Sequence, residues 1–429
     1  MLRELLRPVP LGIYFLSFAV GIVGALVLPT FSVFLGKELG VRPLLVGLPF
    51  TGLALASIGY NHWIGQWSDR LSDRRPLVAG FCAVGVLSCV IFALTRNYWL
   101  VVFSAVALFS LGMVAYSQML AYSLDYADRQ LPLGRVPLFN AIVRAQIAIA
   151  WVAGPPAGFL LSSYFGFSTM YWSAAAVFAL VGLVSVKLLP KLDDSAETDS
   201  AETSTHENDQ PPAPSESPAR RSEIPRITSP EHRRSLWLCL LAFSLMWCVN
   251  HAYLIALPLH LDENLGIGTE WVGWIMGTAA GLEVPIMLVA GVLGARINLM
   301  VMVRFAGFAG FVLYAGVLFS SHLWQLFALQ FFNAVLVGVL AGLGVSVIQA
   351  LMPGRSGSAS ALYTNTTHVG NLLSSVQIAV VADLFGYDMV FWVNLVIVAL
   401  AMLAFAGVRT VNSTPRPPSS SPAVPDSAT

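Results

Sequence analysis

Twelve runs of apolar residues, each long enough to cross a lipid bilayer, leave this chain few folds to choose from. A helical span needs about 20 apolar residues, because the hydrocarbon core is about 30 Å thick. The runs lie at 11–35, 44–64, 76–95, 99–124, 136–161, 167–189, 236–259, 270–293, 300–320, 323–350, 358–383 and 387–409. Several exceed the minimum, which implies tilt or extension into water. Only 11% of residues are charged, against about 25% in soluble domains. The expected class is therefore an all-α membrane protein with twelve transmembrane helices, its solvent the lipid bilayer. The basic segment 1–10 precedes a run too long for a signal peptide core and lacks a small-x-small cleavage site, so the first run is expected to be retained as a helix.

Basic residues give the orientation, because they concentrate in cytoplasmic loops. With both termini in the cytoplasm, only Lys37, Arg42 and Arg96 of the 23 basic residues fall on the other side, and Arg144 falls inside the fifth run. The formal net charge is zero, which argues against a nucleic-acid partner. Residues 193–234 are rich in Ser, Pro, Glu and Asp and then turn basic. Such a stretch cannot bury apolar surface and is expected to be disordered. It divides the chain into a six-helix half at 1–190, a cytoplasmic loop at 191–235 and a second half at 236–410, with a Ser/Pro-rich, disordered cytoplasmic tail at 411–429. Two such halves suggest a parallel repeat around a central path. Cys82, Cys89, Cys239 and Cys248 all lie in apolar runs with no Cys-x-x-Cys spacing, so they read as packing residues. Neither a metal nor a cofactor is expected.

The second and third runs are joined by a short charged loop, Gly65-Gln66-Trp67-Ser68-Asp69-Arg70-Leu71-Ser72-Asp73-Arg74-Arg75. Arg70, Arg74 and Arg75 fit any cytoplasmic loop. Acidic residues add little to topology, so Asp69 and Asp73, four apart, suggest a specific role. The pattern Gly-x-x-x-Asp-Arg-x-x-Asp-Arg-Arg resembles the loop between helices 2 and 3 of the major facilitator superfamily. In that family the Asp and Arg groups form a cytoplasmic latch that holds one transport state and breaks in the other. The resemblance thus implies a cytoplasmic gate at Gly65, Asp69, Arg70, Asp73, Arg74 and Arg75, against the plainer reading of a positive-inside loop.

Polar groups inside the runs are the candidates for function. Arg144 lies about nine residues, roughly 13 Å, past the start of its helix. An arginine at that depth faces a cavity or a partner, or is tied to backbone carbonyls. Asn140, Arg144 and Trp151 share one helix face. A guanidinium, an amide and an indole suit a sugar, whose hydroxyls take hydrogen bonds and whose apolar face takes the ring. Trp151 alone fits a lipid-facing position equally well. Glu283 lies mid-depth in the eighth run, a candidate proton carrier or the charge partner of Arg144. Gln118, Asn250, Gln330, Asn333, Asn365 and His368 complete the substrate candidates. Each is read equally well as a helix–helix hydrogen bond of roughly 1 kcal/mol. His251 and His368 titrate near neutral pH unless packed neutral. Gly154-Pro155-Pro156-Ala157-Gly158 marks a helix kink and partly resembles the Gly-Pro-x-x-Gly signature of superfamily exporters.

Arg144-Ala145-Gln146, the Gly-Pro-Pro stretch, Gly277 to Glu283, Phe332-Asn333-Ala334-Val335 and Leu351-Met352-Pro353-Gly354-Arg355 together resemble bacterial sugar efflux transporters, from about residue 11 to 410. The resemblance implies two six-helix halves in the major facilitator fold, sitting in the bacterial inner membrane as a monomer. It implies export of sugars or glycosides by alternating access, in exchange for protons. Arg144 and Asn333 would contact substrate, and Glu283 would carry the proton or pair with Arg144. A drug or metabolite exporter is the alternative, and a membrane sugar sensor a third reading. No nucleophile motif or metal cluster points to an enzyme.

Overall fold

A computed structural model of the chain describes residue 5 and residues 7–68, 71, 73–192, 230–353 and 355–408. The expected disordered loop and tail, and Asp69 and Arg70 of the gate, lie outside these residues, apart from the loop's two ends. Among the described residues the structure is helical, with no strand. Eleven continuous helices are long and apolar enough to cross a membrane. The longest, Leu138–Leu188, has 51 residues, about 76 Å at 1.5 Å per residue, more than twice the hydrocarbon thickness. It breaks at Gly166, where φ is 84°, and so makes two crossings. The helices are α1 (Pro8–Glu38), α2 (Pro43–Ser68), α3 (Arg75–Leu94), α4 (Tyr98–Gln130), α5 (136–165), α6 (167–188), α7 (Pro230–Leu265), α8 (Thr269–Gly294), α9 (Leu299–Phe319), α10 (Leu323–Leu351), α11 (Gly357–Phe385) and α12 (Tyr387–Gly407).

Apolar runs and helices coincide closely, but α4 and α7 continue past their runs. The reason is that hydropathy measures the hydrocarbon layer, whereas the helix continues into water wherever its polar turns find partners. The extensions carry Asp125, which pairs with Arg74, and Asp262, which pairs with Lys37.

The first six helices pack on one another, as do the last six, and the halves meet along α5–α8, α2–α11 and α1–α7. Small residues let backbones touch at these seams. A methyl on Gly277 would stand 2.8 Å from the Val152 carbonyl oxygen, and one on Gly273 would stand 2.7 Å from that of Pro155. On the other face of α5, a methyl on Gly154 would meet Ala25 at 2.5 Å and one on Gly158 the Leu26 carbonyl at 2.7 Å. The Gly-Pro-Pro-Ala-Gly stretch is thus held between α1, on its glycine side, and α8, on its proline side. Gly47 closes the α2–α11 seam in the same way, with Ser375 O and Ala379 N each 2.6 Å from its missing methyl.

Among the described residues, polar contacts between the halves gather toward the α1–α2 end. Lys37 pairs with Asp262. Arg42 lies 3.8 Å from Asp383, whose Oδ1 also accepts the Leu44 N–H at 3.1 Å. Thr51 donates to Ser375 at 3.0 Å, and Ser163 and Thr269 share a hydrogen bond of 3.3 Å. Toward the other end, where α2 turns into α3, Arg74 and Arg75 bind groups of the first half. Arg74 Nε donates to Asp125 at 2.8 Å, while its Nη1 donates to Ser68 at 2.9 Å and Gln118 at 3.2 Å. Arg75 grips Asp73 through two nitrogens and donates to the Leu189 carbonyl at 2.8 Å. That grip holds the Asp73 carboxyl below its ordinary range, the Arg75 hydrogen bond being the main cause. Among the described residues the polar bridges between the halves thus gather at one face, the closed face, opposite the face around Arg74.

Candidate functional site

A cavity of about 360 Å³ opens between the halves, within the usual size range of small-molecule sites. Four helices build it. From α5 come Arg144, Ile147, Ala148, Trp151 and Pro155, spaced three and four apart so that one face looks inward. Helix α7 supplies Trp247, Asn250, His251, Tyr253 and Leu254. Helix α8 supplies Met276, Ala279, Ala280, Glu283, Val284 and Met287, and α10 supplies Asn333, Ala334 and Val337. Arg144 is therefore contributed by the first half and Glu283 by the second.

The α5–α8 seam fixes their relative height. Gly277 sits level with Val152 and Pro156. Arg144 lies about ten residues from that level and Glu283 six, on the same side, because the helices run antiparallel. At 1.5 Å per residue their heights differ by about 6 Å, roughly one turn. No ion pair joins them: among the described residues neither side chain has a salt-bridge partner within 4.0 Å. Arg144 stands within electrostatic reach of Tyr116 on α4. Helix α8 is also locally broken in its hydrogen bonding. Pro285, two residues past Glu283, has no N–H for the Gly281 carbonyl. Gly338 of α10 lies against the Glu283 backbone, where a methyl would be 3.2 Å from its carbonyl oxygen.

The amides differ in their surroundings. Asn250 is buried on the wall, and no hydrogen bond to the protein occupies its side chain. Asn333 donates through Nδ2 to Gln330 Oε1 at 3.1 Å, and its Oδ1 has no partner. His251 Nε2 is likewise buried without a partner. Its ring lies 6.0 Å from that of Trp247, tilted by 30°, and within electrostatic range of His368.

Of the candidates read from sequence, the structure brings Arg144, Trp151, Asn250, Glu283 and Asn333 to the cavity. Gln330 lies behind the wall, fully buried and hydrogen-bonded to wall residues. Asn140 lies one turn from Arg144 but off the wall, with Oδ1 unpartnered. Asn365 is exposed elsewhere on α11, and His368 is half-buried behind His251. Gln118 belongs to the Arg74 network, away from the cavity wall. Trp247, Tyr253, Met276 and Met287 are wall residues that sequence reading passed over. The one available signal was Trp247, four residues before His251 and so on its face. Among the described residues no three His, Cys, Asp or Glu side chains gather as a metal site.

Comparison with known proteins agrees with this architecture. The sequence profile of the Major Facilitator Superfamily matches residues 13–324 and 252–427. Sugar efflux transporter A of Dickeya chrysanthemi is 40% identical over 394 residues, covering 92% of this chain and 92% of that protein. Sugar efflux transporter A of Escherichia coli is 34% identical over 400 residues, covering 92% and 95%. Among solved structures, the nucleoside transporter NupG superposes with a TM-score of 0.72 at 12% identity, covering 93% of this chain and 98% of that one. An inward-facing, occupied bacterial homologue of the human lysosomal transporter Spinster superposes with a TM-score of 0.68 at 13% identity, covering 93% and 97%; at these identities the likeness concerns the fold. A profile match spanning the chain and relatives above 30% identity over nine-tenths of it make this protein a multi-pass membrane transporter of the major facilitator superfamily, in its sugar efflux family, and not an enzyme.

Proposed function

We propose that this protein exports sugars or glycosides across the bacterial inner membrane by alternating access, in exchange for protons. One observation carries the reading: a single cavity between the halves joins Arg144 and Glu283, unpaired, with two amides and the indoles of Trp151 and Trp247. The amides and the guanidinium suit hydroxyls, and the indoles suit the apolar face of a pyranose. The names of the 31–40% identical relatives support a sugar as substrate. Glu283 is the proton carrier in this reading, because it is the carboxylate on the wall and is free of a cation. In this reading the face around Arg74 is the cytoplasmic one. Basic loops support this: Arg75 and Arg129 lie there beside Arg74. The three basic residues of the closed face, Lys37, Arg42 and Arg96, each have an acidic partner.

Efflux of radiolabelled lactose, glucose and a thioglycoside from proteoliposomes, with and without an imposed pH gradient, tests the proposal. Gradient-driven sugar movement is expected. Sugar movement indifferent to the gradient would remove Glu283 from coupling. No sugar movement would favour the second reading, a drug or metabolite exporter. Leu254, Met276, Val284, Met287 and Val337 on the wall give that reading its basis.

A further inference from the structure

The second half contains a buried hydrogen-bond relay that ends on the cavity wall. Its centre is Gln330, 0% exposed. Gln330 Nε2 donates to the Leu326 carbonyl at 2.7 Å. A carbonyl cannot donate, so this bond fixes which end of the amide is nitrogen and leaves Oε1 pointing the other way. Oε1 then accepts two bonds, from the Tyr253 hydroxyl at 3.1 Å and from Asn333 Nδ2 at 3.1 Å. An acceptor at Gln330 Oε1 admits only the nitrogen of Asn333, since two carbonyl oxygens repel. The flip of Asn333 is thereby fixed as well. Its Oδ1 is left as a buried acceptor with no donor among the described residues, on a residue 5% exposed that lines the cavity. Tyr253, 1% exposed, also lines it, so the relay binds α7 to α10 across the wall.

We infer that Gln330 is a positioning residue: it touches no substrate, but it sets Asn333 as an obligate acceptor for one ligand hydroxyl. An unpaired buried acceptor is unfavourable by about 1–3 kcal/mol. A ligand hydroxyl that donates to Oδ1 removes that penalty, whereas a deoxy or O-methyl ligand leaves it in place. Sites built in this way discriminate strongly against analogues that lack the hydroxyl. The inference rests on the sugar reading above and adds a selectivity rule to it.

The experiment measures binding of a methyl glycoside, its single-deoxy series and its single-O-methyl series to the purified full chain, through the fluorescence of Trp151 and Trp247. Wild type should show one position at which deoxygenation weakens binding about tenfold or more, the loss of one such bond. Gln330→Leu should bind the parent glycoside about tenfold more weakly and no longer distinguish that deoxy analogue. Its maximal transport rate and pH profile should stay within about twofold, since neither Arg144 nor Glu283 is touched. Gln330→Glu, whose protonated carboxyl can donate once and accept twice, should restore both affinity and discrimination at low pH. Tyr253→Phe, which removes a single donor, should show a partial effect and guards against a folding defect in Gln330→Leu. If Gln330→Leu and Tyr253→Phe keep the wild-type discrimination, the positioning role is overturned and the sugar reading stands. If wild type itself binds no glycoside, the sugar reading fails and this inference with it.

Discussion

Arg144 and Glu283 face one apolar-walled cavity without pairing, and this arrangement is tolerable only while water or a ligand reaches them. An isolated charge inside the membrane is expensive. A ligand on Arg144 and a proton on Glu283 are two ways to avoid that cost. Glu283→Gln mimics the protonated carboxyl. It should retain sugar binding and exchange but lose pH-gradient-driven accumulation, measured as counterflow against net efflux in proteoliposomes. Arg144→Lys keeps the charge but loses the planar fork. Transport should fall by about tenfold or more, the worth of one charge-assisted hydrogen bond at roughly 1.5–3 kcal/mol. Arg144, Glu283, Asn250 and Asn333 were legible in the sequence because a polar residue in an apolar run has to be explained. Trp247, Tyr253, Met276 and Met287 were not, since an indole, a phenol or a thioether on a wall reads the same as one facing lipid. Gln118 and Gln330 show the converse limit. Sequence gives depth along a helix but not direction around the bundle, so Gln118 is found with Arg74 and Gln330 behind Asn333.

Between α5 and α8 the closed face depends on backbone contact, with Gly273 and Gly277 against the carbonyls of Pro155 and Val152. The prolines serve this seam in two ways. They leave carbonyls of α5 without helical donors, and they present rigid faces to α8. Gly277→Leu should prevent the seam from closing. Transport should fall to background while the protein still folds, and thiol-reagent access from the α1–α2 side should rise. The turns between helices make a separate prediction. Gly166 and Gly386 hold φ of 84° and 89°, a region that residues with a Cβ avoid. Alanine at either should lower thermal stability by more than the roughly 0.4–1 kcal/mol that alanine gains elsewhere, read as a loss of Tm in detergent. The Asp73–Arg75 grip adds a pH dependence. The carboxyl is held below its ordinary range by Arg75, so the grip is fully present above that range and is lost only as pH falls through the lowered value. Loop anchoring, followed by proteolysis, should therefore be unchanged across neutral and mildly acid pH. The Asp73→Asn change should loosen the loop at every pH.

Across the whole molecule the halves repeat one another in detail. Gly40 and Gly266 take φ of 62° and 61° after α1 and α7, and Gly166 and Gly386 take φ of 84° and 89° before α6 and α12. Arg75 of α3 donates to the Leu189 carbonyl at the end of α6, and Arg304 of α9 donates to the Phe405 and Val408 carbonyls at the end of α12. At the closed face the halves are joined by the Lys37–Asp262 and Arg42–Asp383 pairs. Exposed ion pairs contribute about 0–1 kcal/mol each, so removing Lys37 and Arg42 together should shift the balance of states by at most about thirtyfold toward opening of the closed face. Distance distributions between spin labels on α1 and α7 would show the shift. The twelve runs were legible because bilayer thickness imposes a strict pattern on sequence. The closed state of one face was not, because Lys37 and Asp262 are far apart in the chain and each is ordinary alone. The central claim, that the α5–α7–α8–α10 cavity holds the sugar, meets its most direct test in thiol protection. The four native cysteines are buried, so a cysteine introduced by Ala280→Cys on the wall reports with little background. A transported glycoside should slow its alkylation in proportion to occupancy. Full alkylation at a sugar concentration that saturates transport would contradict the claim.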